Sequence, residues 1–196
     1  MSRPQKVTDD QLFAATHAVM QRVGPQELTL AAIAREAGVT AAVIVQRFGS
    51  KRDLMLALMR RFSSSSGELV TGFARQHASP LAALRAYAGC VAGMAASPAA
   101  FVRGLAYLQA DLSDAEFRPL LARHAKTTRA GLQRLIDAAI ARGELRDVAS
   151  SARLARAIES VLSGSVLTWA LYQQGSAVRW VRADLEAVLE PYRGGR

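Results

Sequence analysis

With 196 residues, 51% of them apolar and 21% charged, the chain has the composition of a globular protein and not that of a disordered one. Its formal net charge of +9 points to polyanionic partners, either nucleic acid or an anionic membrane surface. No apolar run reaches the ~18 residues of a membrane-spanning helix, and the start, MSRPQKVTDD, lacks the apolar stretch of a secretory signal, so a cytoplasmic protein is expected.

Ala, Leu, Arg and Val dominate, prolines are few, and no stretch alternates between apolar and polar residues, which predicts an all-α fold of about nine helices. Thr8 and Gln11 have the spacing of a capping box and open a first helix that Gly24-Pro25 stops. Thr29 caps a short second helix, Leu30 to Ala37, which Gly38 ends. Thr40 starts a third that cannot pass Phe48-Gly49, and Ser50 with Asp53 caps a longer fourth, to about residue 75. Ser79-Pro80 and Ser97-Pro98 each read as a helix start with proline in the first turn. Ser113 with Glu116 predicts a further capping box, opening a helix towards Gly143. Two last helices are expected at about Ser151 to Gln174 and Ala177 to Tyr192. SSSS at 63–66 is the one low-complexity stretch, and Cys90, alone among apolar neighbours, is expected as a buried, inert thiol.

Ile33, Ala34, Ala37, Gly38, Val39 and Ile44 have the spacing of a helix-turn-helix. Ala34 lets helices cross closely, Gly38 permits the turn, and Val39 with Ile44 seats the third helix on the first two. Lys51 stands in the first turn of a helix, where the macrodipole disfavours a cation. A structural reason for it is therefore weak, and Lys51 with the Thr29 and Thr40 hydroxyls is expected to converge on DNA phosphates. Arg3 and Lys6 lie on an N-terminal arm that is either a solvated tail or a phosphate or minor-groove contact.

The segment LTLAAIAREAGVTAAVIVQRFGSKRDLMLALM resembles the DNA-binding region of the TetR/AcrR family of one-component bacterial regulators, with its Thr-led helix, Ile-Ala, Ala-Gly-Val, a short recognition helix ending in Phe, then Ser-Lys. The C-terminal SGSVLTWALY and DLEAVLEPYR are similar to the family's last helix pair. The chain departs from the family at Ala42-Val43-Ile44-Val45, which replaces a small residue, Thr or Ser, an aliphatic residue and a Tyr that contacts phosphate. Carried over by position, Thr29, Thr40 and Lys51 match phosphate contacts. Ala41, Ala42, Val45, Gln46 and Arg47 match the DNA-facing part of the recognition helix. Of these only Gln46 and Arg47 can bond base edges, so few direct base contacts and more phosphate and shape readout are expected.

The resemblance implies a helix-turn-helix DNA-binding domain at 1–53, a shared helix at about 50–75, and an effector-binding and dimerisation domain at 54–196. It further implies a ligand-responsive regulator, more often a repressor, released from a palindromic double-stranded DNA operator by a small effector. A homodimer would set two recognition helices about 34 Å apart. For the interface, Leu154, Ile158 and Leu162 on one helix and Val181, Leu185 and Val188 on the next form stripes at helical spacing; such stripes also serve as ordinary core. For the effector site, Met59, Phe62, Tyr87, Cys90, Met94, Phe101, Tyr107 and Phe117 offer Met and aromatic lining for a mostly apolar or aromatic compound, with plain packing as the other reading.

An enzyme is not expected: His17, His77 and His124 are scattered, and no HExxH, GxSxG, cysteine-rich metal spacing or phosphate-cradling glycine loop occurs. Neither a catalytic residue, a metal nor a cofactor is expected. No helix joins a basic face to a large aromatic one, so no membrane partner is expected. A non-transcriptional ligand carrier or protein-interaction module that kept the fold stays open as the alternative.

Overall fold

Most helices begin where a side-chain oxygen takes up the first amides. The computed structural model describes residues 7–193, so the Arg3 and Lys6 arm lies outside the described residues. These residues form nine α-helices, a closing 3-10 turn and no strand. The helices are α1 (Asp9–Met20), α2 (Leu30–Ala37), α3 (Ala41–Phe48), α4 (Lys51–Gln76), α5 (Pro80–Gly93), α6 (Pro98–Ser113), α7 (Phe117–Ala141), α8 (Ser151–Tyr172) and α9 (Ala177–Leu189). The Thr8–Gln11 capping box is present in both directions. Thr29, Ser79, Ser150 and Ser176 each cap through the side chain. Ser50 Oγ accepts from the Asp53 amide at 3.1 Å and donates to the Asp53 carboxylate at 2.6 Å. Ser97 Oγ accepts from the Ala100 amide.

Four boundaries differ from expectation, the first being α1, which already ends at Met20, ahead of Gly24-Pro25. Ser113 closes α6, its hydroxyl bonded to the Gln109 carbonyl, and Asp114 is the residue that takes the α7 amides of Glu116 and Phe117. An ionised carboxylate is a strong acceptor for the free amides at a helix start, and Asp114 stands where its oxygen reaches them. Gln173, at φ 54°, ends α8 two residues after Leu171, and α9 yields at Glu190–Tyr192 to the 3-10 turn that carries Pro191.

Contacts divide the described chain into two compact units, and not at residues 53/54. The first takes residues up to Phe62 together with Val102–Leu121; the second takes Ser63–Phe101 with the residues from Ala122 onward. The reason is apolar. Tyr107 of α6 joins Leu12, Ile33, Ile44 and Leu54 in one buried cluster, and Phe117 and Leu120 of α7 bury Leu56. Helices α4, α6 and α7 therefore contribute to both units.

In the second unit, Leu84 and Tyr87 of α5, Leu132 and Ile136 of α7, Ile158 and Leu162 of α8, and Leu185 and Leu189 of α9 form the core. The SSSS stretch is helical, not a linker. Ser63 and Ser66 are buried, and a Cβ placed on Gly67 would stand 2.9 Å from the Thr127 methyl. At Gly131 it would stand 2.9 Å from Val70. Small residues thus let α4 and α7 approach closely, at the cost of burying hydroxyls; Ser66 satisfies its own by donating to the Ser63 carbonyl.

Candidate nucleic-acid interface

The sequence L-T-L-A-A-I-A-R-E-A-G builds a helix that must stop at glycine. Gly38 sits at φ 68°, and its amide and that of Val39 return to the last α2 carbonyls. The turn delivers α3 with one fully buried side chain, Ile44 at 1% exposure. Val39, Ala41 and Phe48 pack partly against the same cluster, and the Phe48 ring meets Phe13 of α1 at 5.8 Å between centroids. Burial of Ile44 contributes ~2 kcal/mol by area alone. The opposite face of α3, Ala42, Val45, Gln46 and Arg47, points outward.

Ala42, Val45, Gln46 and Arg47 are exposed, Val45 to 46%, and Ala41 is half-buried at the helix start. Gln46 projects without a bond to another described residue. Arg47 is committed. Its Nη1 donates to the Val7 carbonyl at 2.8 Å and to Asp9 at 3.1 Å, which ties the C-terminal turn of α3 to the start of α1. Thr29 accepts from the Ala32 amide, leaving its hydroxyl hydrogen to donate, whereas Thr40 makes no side-chain cap bond. Lys51 has the structural role that its position seemed to deny it: Nζ donates to the Leu28 carbonyl at 2.8 Å. That carbonyl ends the turn between α1 and α2, so Lys51 braces the loop from which Thr29 projects.

Several cations of the first unit are paired. Arg22 meets Glu36 at 2.5 Å and Arg61 meets Asp10 at 3.2 Å. Arg52 donates to Asp114 and Glu116, and the bond holds the Asp114 carboxyl below the usual carboxylate range. Burial, with the Asp114 charge beside it, raises Asp111 to about 6. Tyr107, pushed up to about 12 chiefly by burial, donates to the Val23 carbonyl at 3.1 Å, and Arg103 donates to that of Gln21. No three His, Cys, Asp or Glu side chains come together as metal ligands among the described residues.

The residues expected to line an effector site do not converge. Tyr107 and Phe117 are buried in the first unit, where Met59 packs beside Phe117 and Phe62 is 40% exposed. Cys90 is exposed, against expectation, and Met94 is half-exposed. The core face of α5 is carried by Leu81, Leu84, Ala88 and Ala92, which turns both outward. Only Tyr87 and Phe101 join the second core, and burial raises the Tyr87 hydroxyl although Thr128 bonds it.

The expected dimer stripe is corrected likewise. Leu154, Ile158, Leu162, Val181 and Leu185 are buried within the chain's own core, and Val188 is half-buried against it, because α5, α8 and α9 pack on one another through these side chains. The outer face of α8 instead carries Ser160, Gly164, Leu167 and Leu171, with Leu171 74% exposed. Periodicity locates an apolar face but not the partner that covers it.

Two family models match. "Bacterial regulatory proteins, tetR family" covers residues 12–58, and "Tetracyclin repressor-like, C-terminal domain" covers residues 102–185. Among curated relatives, the HTH-type transcriptional regulator BetI 2 of Chromohalobacter salexigens is 37% identical over 87 residues, 44% of this chain and 41% of the relative. BetI of Serratia proteamaculans is 41% identical over 66 residues, 34% of this chain and 33% of the relative. These matches thus span less than half of the relatives' length. Among solved structures, a TetR transcription regulator from Haloarcula marismortui superposes with TM-score 0.74 at 16% identity, covering 94% of this chain and 97% of that one. The regulator FadR from Bacillus subtilis, solved in complex with stearoyl-CoA, superposes with TM-score 0.70 at 19% identity, covering 93% and 98%.

Proposed function

Because the chain belongs to the TetR family of bacterial regulatory proteins, we propose that it is a DNA-binding transcriptional regulator, a repressor that a small effector releases from a palindromic operator. The observation that carries the reading is α3: a short helix held by Ile44 and delivered by the Gly38 turn, with Ala42, Val45 and Gln46 exposed. Its role is binding, with no chemistry on the DNA or the ligand.

Gln46 is the one uncommitted hydrogen-bonding side chain on that exposed face and would read adenine. Arg47 reaches a base only by leaving Val7 and Asp9. Ala41, Ala42 and Val45 admit close approach to thymine methyls, and Thr29, Thr40 and Lys51 anchor phosphates. Direct base contacts are therefore few, with phosphate binding and shape readout taking the larger share.

A twofold dimer matches two such helices to successive major grooves. Its seam is the outer face of α8, Ser160, Gly164, Leu167 and Leu171, with the adjoining part of α9. The effector is a small, mostly apolar or aromatic compound; FadR of Bacillus subtilis, a protein of the same fold, was solved with stearoyl-CoA, whose acyl chain is apolar. No single helix among the described residues is long and apolar enough to cross a membrane, and we assign the protein to the cytoplasm.

The test is selection of bound duplexes from a random pool by the purified chain, then titration of the enriched site against salt and scrambled DNA. A palindrome bound about 10³-fold or more above scrambled sequence is expected. Weak, steeply salt-dependent binding with no enriched site would overturn the reading and favour a ligand carrier.

A further inference from the structure

A cleft of about 300 Å³ opens in the second unit where the last turns of α4, the start of α5 and the last turns of α7 meet. None of the eight effector residues expected from the sequence lines it. Its floor is apolar: Val70 and Leu135 are buried, and Gly131 offers no side chain, so the floor lies flat between them. Its remaining wall is polar and carries two cations, Arg134 and Arg142. His77 lines it as well, and no carboxylate does.

Two of these side chains are held in place. Arg142 Nη1 donates to the Ala78 carbonyl at 2.8 Å, and its other donors remain for a ligand. The His77 ring lies 5.9 Å from Phe73 in a stacked arrangement, with Nδ1 bonded to the Phe73 carbonyl at 3.0 Å. Arg134 is exposed and makes no ion pair with a described residue. The start of α5 also borders the cleft at Pro80, but its amides are spent. Leu81 donates to Glu144 at 3.0 Å and Ala82 to Ser79 at 3.1 Å. An anion here would have to be held by side chains.

We propose that this cleft binds a small organic carboxylate whose flat apolar body lies on Val70 and Leu135 and whose charged end meets Arg134 and Arg142. The proposal deepens the effector-responsive reading above and rests on it for its regulatory meaning. A mostly apolar cavity with few converging polar groups is the usual form of a small-molecule site, and a planar guanidinium pairs with a carboxylate through two parallel bonds. A neutral compound of the same shape would leave the two arginines without a counter-charge. An amine would be repelled by them.

The experiment is calorimetric titration of the full chain with 2-naphthoate and with the neutral 2-naphthamide. Saturable binding of the acid, one per chain, is expected, with the amide weaker by about tenfold or more. Arg134→Gln should weaken naphthoate by about tenfold, Arg134→Lys, which keeps the charge but not the fork, should lose part of the affinity and bind between the two, and Ala138→Trp, which fills the cleft, should abolish it. Where Ala138→Trp fails to fold, the exposed Arg134 variants carry the test. Equal binding of acid and amide, no saturable binding at millimolar acid, or an unchanged Arg134→Gln overturns the proposal.

The selected operator separates this proposal from the reading beneath it. A compound that releases DNA equally from the wild type and from Ala138→Trp overturns the cleft and leaves the regulator standing. Naphthoate binding by a chain that selects no DNA does the reverse.

Discussion

The guanidinium of Arg52 lies over the ring of Phe117, 5.5 Å from its centroid, while its nitrogens donate to Asp114 and Glu116. One side chain near the start of α4 thus holds both the aromatic anchor of α7 and the two acids beside it, all within the first unit. The contact combines a cation over a ring with a forked ion pair that lysine cannot reproduce.

The same contact makes stability depend on acid. Asp114 has its pKa lowered from 3.8 by the Arg52 bond, so it contributes stability that is present above that value and lost as pH falls below it. In the wild type, melting temperature should fall as pH drops below about 3.8. Arg52→Gln should lower the melting temperature at neutral pH and flatten that acid slope. An unchanged slope in the variant would remove the pair from the account.

Asp111 behaves in the opposite sense. Its pKa is raised from 3.8 to about 6, so the folded chain holds the proton more tightly and this group costs stability as pH rises through that window. Asp111→Asn should stabilise the protein by up to ~1 kcal/mol above pH 6, after discounting for its half-exposed position, and by nothing below pH 4. Denaturant titrations of both proteins across that range read the difference directly.

On α3, one residue seats and another reads. Ile44→Ala should cost ~2–5 kcal/mol and abolish DNA binding together with the fold of the first unit. Gln46→Ala, at an exposed position, should change stability by less than ~0.5 kcal/mol while weakening the selected operator. Paired melting and DNA titration distinguish the two. A Gln46→Ala protein with unaltered operator affinity would refute base reading by that side chain.

At the seam of α4 and α7, Gly131→Ala drives a methyl into Val70, and ~1–3 kcal/mol of destabilisation is expected. Val70→Ala removes the obstruction at its own cost in cavity. In the double variant the two losses should sum to less than their separate values, with a coupling above ~0.5 kcal/mol by denaturant melts. Strict additivity would mean that the helices part instead of pressing on this pair.

Local chemistry in the sequence determined where the helices begin and end: Thr8, Thr29, Ser79, Ser150 and Ser176 cap them, and Gly38 breaks the chain between α2 and α3. A cap is a bond between residues three apart, so it is legible without the fold. The family pattern likewise placed the exposed face of α3. What the tertiary structure alone decided was the partner of each apolar or charged side chain. Tyr107 and Phe117 look like pocket lining until each is seen buried in an apolar cluster of the first unit. Leu154, Ile158 and Leu185 look like an interface until α5 covers them. Lys51 and Arg47 look free until the Leu28 and Val7 carbonyls accept their hydrogen bonds. A hydrophobic stripe or a cation states only that some partner is needed, because burial and ion pairing are satisfied by any suitable surface; which surface arrives is set by the whole chain.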